Sequence, residues 1–134
     1  MGEGGREAPP GPGTLCFAGL GDLWEDETDL AALLAPLPTD VPRIVLAHNP
    51  DEADRVPPAL RVDLLLAGHT HGGQVRIPFL GTPLLPIEGG QGLAGGLTTR
   101  GATRVLVSRG VGMAFLPVRI GVPPEMGLVV LRRG

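Results

Sequence analysis

The short aliphatic segments of this chain predict an α/β fold with parallel strands. Asp63 to Ala67 is too short for a helix and rich enough in leucine to be a strand buried on both faces, as in a sheet covered by helices. Ile44 to Ala47 reads as a neighbouring strand. Between them, Asp51 to Val56 has room for a short helix, the crossover that parallel neighbours need. Both segments run into histidine, His48 after the first and His69 and His71 after the second. Loops at the carboxyl ends of strands are where open α/β sheets hold their ligands.

At 134 residues the chain suffices for one small domain with its own core, and not for two. Residues 1–13 are glycine, proline and charge without an apolar pattern, and read as a disordered leader or a cut surface loop. Residues 14–134 form the domain. There, the many glycines and prolines punctuate apolar runs instead of replacing them, as in a loop-rich protein that carries its sites on loops. An aromatic share of 3% with no tyrosine makes the core aliphatic and offers no stacking platform for single-stranded nucleic acid. A formal charge of -3, with scattered arginines as the only basic side chains, argues against a polyanion-binding surface. The lone Cys16 excludes an internal disulfide and reads as a small buried residue. No stretch approaches the roughly 18 apolar residues of a membrane span, and the N-terminus lacks the hydrophobic region of a signal peptide.

In chain order, Thr14 to Leu20 suits a strand, and Gly19-Leu20-Gly21-Asp22 turns out of it, with Asp22 bonding backbone amides. Glu25 to Ala35 reads as a helix: acids and Thr28 crowd its start, Leu30, Leu33 and Leu34 share a face, and Pro36 lies just beyond. Pro38 to Pro42 links into the strand Arg43 to Ala47. Pro50 or Asp51 starts the short crossover helix, and Pro57-Pro58 ends it. Gln74 to Pro78 alternates like a half-exposed strand, and Pro78 to Gly96 is a long loop of the kind that serves a site or a partner. Thr103 to Ser108 and Gly127 to Leu131 read as strands, the second closing the domain. Between them, the planar fork of Arg109 suits a phosphate, a carboxylate or solvent. No internal repeat and no phosphate-loop motif occurs.

Two histidines one residue apart diverge on an extended backbone and converge if the chain turns at Thr70. Gly68 permits such a turn, and Gly72 and Gly73 allow close backbone approach. The pair can serve as surface or capping histidines, or as metal ligands. All three histidines of the chain follow strand-like segments. Parallel strands would gather them at one edge as a cluster of imidazoles suited to Zn, Mn, Fe or Ni.

Gly68-His69-Thr70-His71 resembles the last motif of the calcineurin-like metallophosphoesterases, and Leu46-Ala47-His48-Asn49-Pro50 resembles the histidine motif that precedes it. Gly68 to Gln74, Val107 to Gly112 and Leu116 to Glu125 are similar to the bacterial membrane-associated phosphodiesterase branch. The likeness runs from about Leu15 to Leu131. It implies that the chain is the C-terminal half of a four-layer α/β/β/α sandwich, because the superfamily's earlier motifs, Asp-x-His, Gly-Asp and Asn-His-Asp/Glu, cannot be assigned here. It also implies phosphodiester or phosphomonoester hydrolysis at a dinuclear site, where two divalent ions of Mn, Fe, Zn or Ni clamp the phosphoryl oxygens and activate water. His48 and His69 would bind one ion and His71 the other, with Asn49 and Thr70 orienting the imidazoles. The family's catalytic histidine has no counterpart in this chain. Nothing like Asn-His-Asp/Glu lies between Asp22 and His48, which argues against Asp22 as the metal-bridging aspartate.

Three imidazoles shared by two ions hold neither tightly, so this chain alone is expected to bind metal weakly and hydrolyse little. The alternative is a degenerate, non-catalytic domain acting as a binding or assembly partner. Half a sheet would expose an apolar face and an unpaired edge, which invites self-association. A third reading is one structural zinc held by the three histidines. Association with a membrane would come through a missing N-terminal segment, so the complete protein is expected in the cytoplasm or at a membrane.

Overall fold

Alternate aliphatic side chains on four short strands make the row on which the structure is built. A computed structural model of the chain describes Gly11 and residues 13–132, so the expected leader lies almost wholly outside the described residues. Strands β1 (Cys16–Gly19), β2 (Arg43–Leu46), β3 (Leu64–Ala67), β4 (Gly96–Arg100) and β5 (Thr103–Val107) form one sheet of order β1-β2-β3-β5-β4. The first three and β5 are parallel, and β4 pairs antiparallel with β5. The register aligns Ala18, Val45, Leu65 and Val105, all buried. Side chains alternate across a strand, so this row faces one side. There it meets Leu30 and Leu34 of helix α1 (Leu30–Leu34), with Ala53 and Leu93. The α/β class expected from the aliphatic segments is the class observed.

Burial on both faces of β3 is not. Leu65 and Ala67 are buried, whereas Leu64 and Leu66 are only half-buried. The second face carries the row Leu46, Leu66, Leu106 and Leu97, and both Leu46 and Leu97 are exposed. The helix and turns of the core cluster pack on the first face, while on the second Ile44 is buried. Among the described residues the expected strand Gly127 to Leu131 has no ladder partner either; its leucines and valines are exposed, and with Ile44, Leu64 and Leu106 they border a cavity of about 1280 Å³ on the second face. Cys16, expected to be buried, is only partly so.

The helix expected over Glu25 to Ala35 shortens to five residues. Asp22 accepts from the Trp24 amide at 2.8 Å, and Asp26 from the Asp22 amide at 2.7 Å, so local side-chain bonds compete with a helical first turn. Asp29 then caps α1 by accepting from Ala32 N at 2.9 Å. The crossover is a 3₁₀ turn, Pro50–Arg55, with Asn49 as its cap. Gln74 to Pro78 makes only isolated bridges, Val75 to Ile120 and Ile77 to Gly81. Strand β4 was not anticipated: it follows the long loop and joins β5 through Gly101-Ala102, with Gly101 at φ 56° as a two-residue hairpin turn demands.

Candidate metal centre

Parallel pairing of β2 with β3 sets their carboxyl ends side by side, and His48 and His69 emerge there. His48 Nε2 and His69 Nδ1 face each other at 2.9 Å. The other nitrogen of His69, Nε2, lies 3.0 Å from the Pro86 carbonyl oxygen. A carbonyl only accepts, so Nε2 carries the proton and Nδ1 presents a lone pair. Burial first, and the neighbouring His48, hold the His69 pKa below its ordinary value, which favours the neutral ring. Trp24 packs edge-on against that ring with centroids 4.5 Å apart.

His71 does not share the contact. Its Nδ1 lies 3.1 Å from the Gly112 carbonyl oxygen, so the proton sits on Nδ1 in the neutral ring and Nε2 is left with the lone pair. Both ligand candidates on this loop thus have one nitrogen tied to a backbone carbonyl, the arrangement that fixes tautomer and ring direction in metal-binding histidines. Of Asn49 and Thr70, expected to orient the imidazoles, Thr70 Oγ1 and Asn49 Oδ1 bond backbone, while the buried Asn49 Nδ2 has no partner among the described residues. Asn49 Oδ1 accepts from Asp51 N at 2.9 Å, while Thr70 Oγ1 donates to Ala94 O at 2.8 Å and accepts from Gly72 N. A strand-end cap and a tight loop need those bonds more than the rings do.

The loop is strained where it carries chemistry. His69 and His71 sit at φ 62° and 50°, a left-handed region that costs a residue with a β-carbon. Bracing comes from far along the chain. Arg119 donates to the carbonyls of His71 (3.3 Å), Gly112 (3.1 Å) and Arg109 (2.8 Å), and the Gln74 amide holds Ala114 from both sides. Sequence reasoning missed Arg119, whose only signal was its place in the segment Leu116 to Glu125. Asp22 Oδ2 comes to 3.5 Å from His48 Nε2, besides its expected bond to a turn amide.

The donor set suits a divalent ion in part. At 2.9 Å the two nitrogens are hydrogen-bonded, His48 Nε2–H donating to the His69 Nδ1 lone pair, and both would turn to one ion only as that proton is released. Among the described residues, however, no group of three or more His, Cys, Asp and Glu side chains is arranged to hold a metal. The single-zinc reading needs such a group, and the three histidines do not form one.

Arg109 meets a carboxylate. Its backbone amide and Nε donate to Glu125 at 3.1 and 2.9 Å, and these bonds hold the Glu125 carboxyl below its ordinary value of 4.5. A depressed carboxyl adds stability above its unfolded value and loses it as pH falls through the folded one. Glu125→Gln therefore lowers the thermal midpoint at pH 7, and the gap from the wild type closes as the solution is acidified, measured by thermal unfolding across that range.

Comparison with known proteins gives the site its context. The chain is 41% identical over 120 residues to phosphodiesterase YaeI of Escherichia coli K12, an alignment that covers 86% of this chain and 40% of that protein. It is 36% identical over 116 residues to the uncharacterized metallophosphoesterase YkuE of Bacillus subtilis 168, covering 87% and 40%. A UDP-2,3-diacylglucosamine pyrophosphatase, LpxG of Chlamydia trachomatis, is 28% identical over 123 residues, covering 87% and 37%. The chain thus spans about two fifths of the length of these relatives. No protein-family model and no solved structure matches it. No helix among the described residues is long and apolar enough to cross a membrane. Four relatives named as phosphodiesterase or metallophosphoesterase, 33–41% identical over most of the chain, show that it belongs to the calcineurin-like metallophosphoesterase superfamily.

Proposed function

We propose that residues 14–134 are the C-terminal part of a phosphoesterase domain and carry the histidine half of a dinuclear, metal-dependent site. The observation that supports this most is the pairing of His48 Nε2 with the lone pair of His69 Nδ1 at two adjacent strand ends. His48 and His69 would hold one ion and His71 the other. Bound ions would supply Lewis acidity and an activated water. The chain's own residues keep the donors ready: Pro86 and Gly112 fix protons on the remote ring nitrogens, and Arg119 and Gln74 brace the loop. Neutral imidazoles hold metal without cancelling the charge that acidifies bound water. The substrate class is a phosphate ester, in keeping with relatives named phosphodiesterase and pyrophosphatase.

With two converging donors and a third apart, the isolated chain binds metal weakly and hydrolyses little. Calorimetric titration with manganese or zinc tests this. Weak binding is expected, and His48→Ala or His69→Ala lowers it by at least about tenfold, since even an orienting partner is worth that much. Unchanged binding in both variants would sink the site. Manganese-dependent cleavage of an activated phosphodiester by this chain would overturn its inactivity. The second reading, a non-catalytic assembly partner, draws on the exposed apolar residues Phe17, Leu46 and Leu97 of the uncovered sheet face. Sedimentation showing a stable oligomer without metal would favour it.

A further inference from the structure

Besides the histidines, the site has an apolar annex. His48, His69 and His71 line one part of a cleft of about 690 Å³. Trp24, Leu84, Leu85, Phe115, Leu116 and Val118 are the large apolar side chains of the remaining wall. Among the described residues, no Asp, Glu, Lys or Arg lines this cleft.

Of the polar side chains in its wall other than the imidazoles, Thr70 and Gln74 are already engaged, and the Trp24 indole N–H is a single donor. Thr70 Oγ1 is bonded to Ala94 O and Gly72 N. The Gln74 amide donates to Ala114 O and accepts from Ala114 N. A sugar or nucleobase needs several free side-chain donors and acceptors to be read; apart from the imidazoles these walls offer the Trp24 N–H and, among the described residues, no free side-chain acceptor. They offer hydrocarbon instead, and much of it is bare. Phe115 is 99% exposed, Leu84 70% and Leu116 64%, a contiguous apolar surface beside a polar reaction centre. A charged cleft does lie across Trp24, with Asp51, Asp54, Arg55 and Glu88 among its lining. Three carboxylates against one guanidinium repel an anionic phosphoester, so that side is a poor seat for the rest of the substrate.

We propose that the phosphate ester taken by this site carries an aliphatic chain, which lies along Leu84, Phe115 and Leu116 while the phosphoryl group faces the histidines. The proposal rests on the phosphoesterase reading above. Trp24 is the only tryptophan of the chain and part of the cleft wall, so its emission reports occupancy.

The test titrates the 134-residue chain with decyl phosphate below its micellar concentration, methyl phosphate and decanol, with zinc present. Decyl phosphate is expected to shift Trp24 emission to the blue and to bind at least about tenfold more tightly than methyl phosphate, the gain from withdrawing about two methylene groups from water. Leu84→Ser with Leu116→Ser, both at exposed positions, removes that advantage and leaves methyl phosphate binding unchanged. Equal affinities for decyl and methyl phosphate would overturn the aliphatic chain and leave the phosphoesterase reading standing. Decanol binding as tightly as decyl phosphate, with no response to methyl phosphate, would overturn the phosphoesterase reading itself. No response to decyl phosphate overturns the proposal. Co-sedimentation with phosphatidylcholine vesicles containing dihexadecyl phosphate assigns the ligand to a bilayer. Binding of decyl phosphate without co-sedimentation assigns it to a dispersed amphiphile, and either outcome upholds the hydrocarbon chain.

Discussion

Gly73→Ala destabilises the chain by about 3 kcal/mol and weakens metal binding with it. A β-carbon there would stand 2.6 Å from Thr82 Cβ and 2.8 Å from its Cγ2, at a backbone φ of +76°. Left-handed backbone costs a non-glycine residue about 1 kcal/mol or more, and forced overpacking costs about 1–3 kcal/mol. Thr82 has little room to yield. Its hydroxyl donates to Gln91 Oε1 at 2.5 Å, and Gln91 Nε2 donates back to Thr82 O at 2.9 Å. The strain is relieved by shifting the loop that carries His69 and His71, so stability and metal affinity fall together. Gly101→Ala, in the β4–β5 hairpin turn, is the control. It has φ +56° with no atom within 4 Å of the added carbon, so it isolates the backbone cost at about 1 kcal/mol. Urea unfolding of the two variants separates steric from conformational strain, and similar losses in both would contradict the contact with Thr82.

Leu65→Ala costs about 3 kcal/mol, a large share of the roughly 5–15 kcal/mol that holds a domain folded. Leu65 is fully buried at the middle of β3, in register with Val45 on one side and Val105 on the other. No neighbour can collapse into the space without breaking that row, so the lost transfer energy and the cavity add. The opposite face gives the contrast. Leu97 on β4 is 67% exposed, and Leu97→Ala is expected to stay within about 0.5 kcal/mol. Denaturant unfolding of both variants checks the asymmetry of the sheet, and equal losses would mean that both faces are covered in solution.

The short runs Ile44 to Ala47 and Leu64 to Ala67 were sufficient to identify β2 and β3. Their parallel pairing, and with it the approach of His48 to His69, followed from the crossover between them. Such features are legible because a strand's burial pattern and a crossover's length are properties of contiguous residues. The two-histidine loop, with its glycines, was likewise visible as a candidate site.

What the sequence left open depends on residues far apart in the chain. Apolar composition made Gly127 to Leu131 look like a strand, but a strand exists only where a neighbour offers its hydrogen bonds, and among the described residues none does. The helix before β2 lost its first turns to Asp22 and Asp26, a competition that propensity alone does not settle. The groups that hold His69 and His71 are the backbone carbonyls of Pro86 and Gly112, 17 and 41 residues away, and a carbonyl is common to every residue. Arg119 reached the loop from 48 residues downstream. The sequence by itself therefore determined strands β2 and β3, their parallel pairing and the histidines of the candidate site. Only tertiary structure decided which ring nitrogens carry protons, which face of the sheet is covered, and what wall lies beside the histidines, because those depend on groups that folding alone brings together.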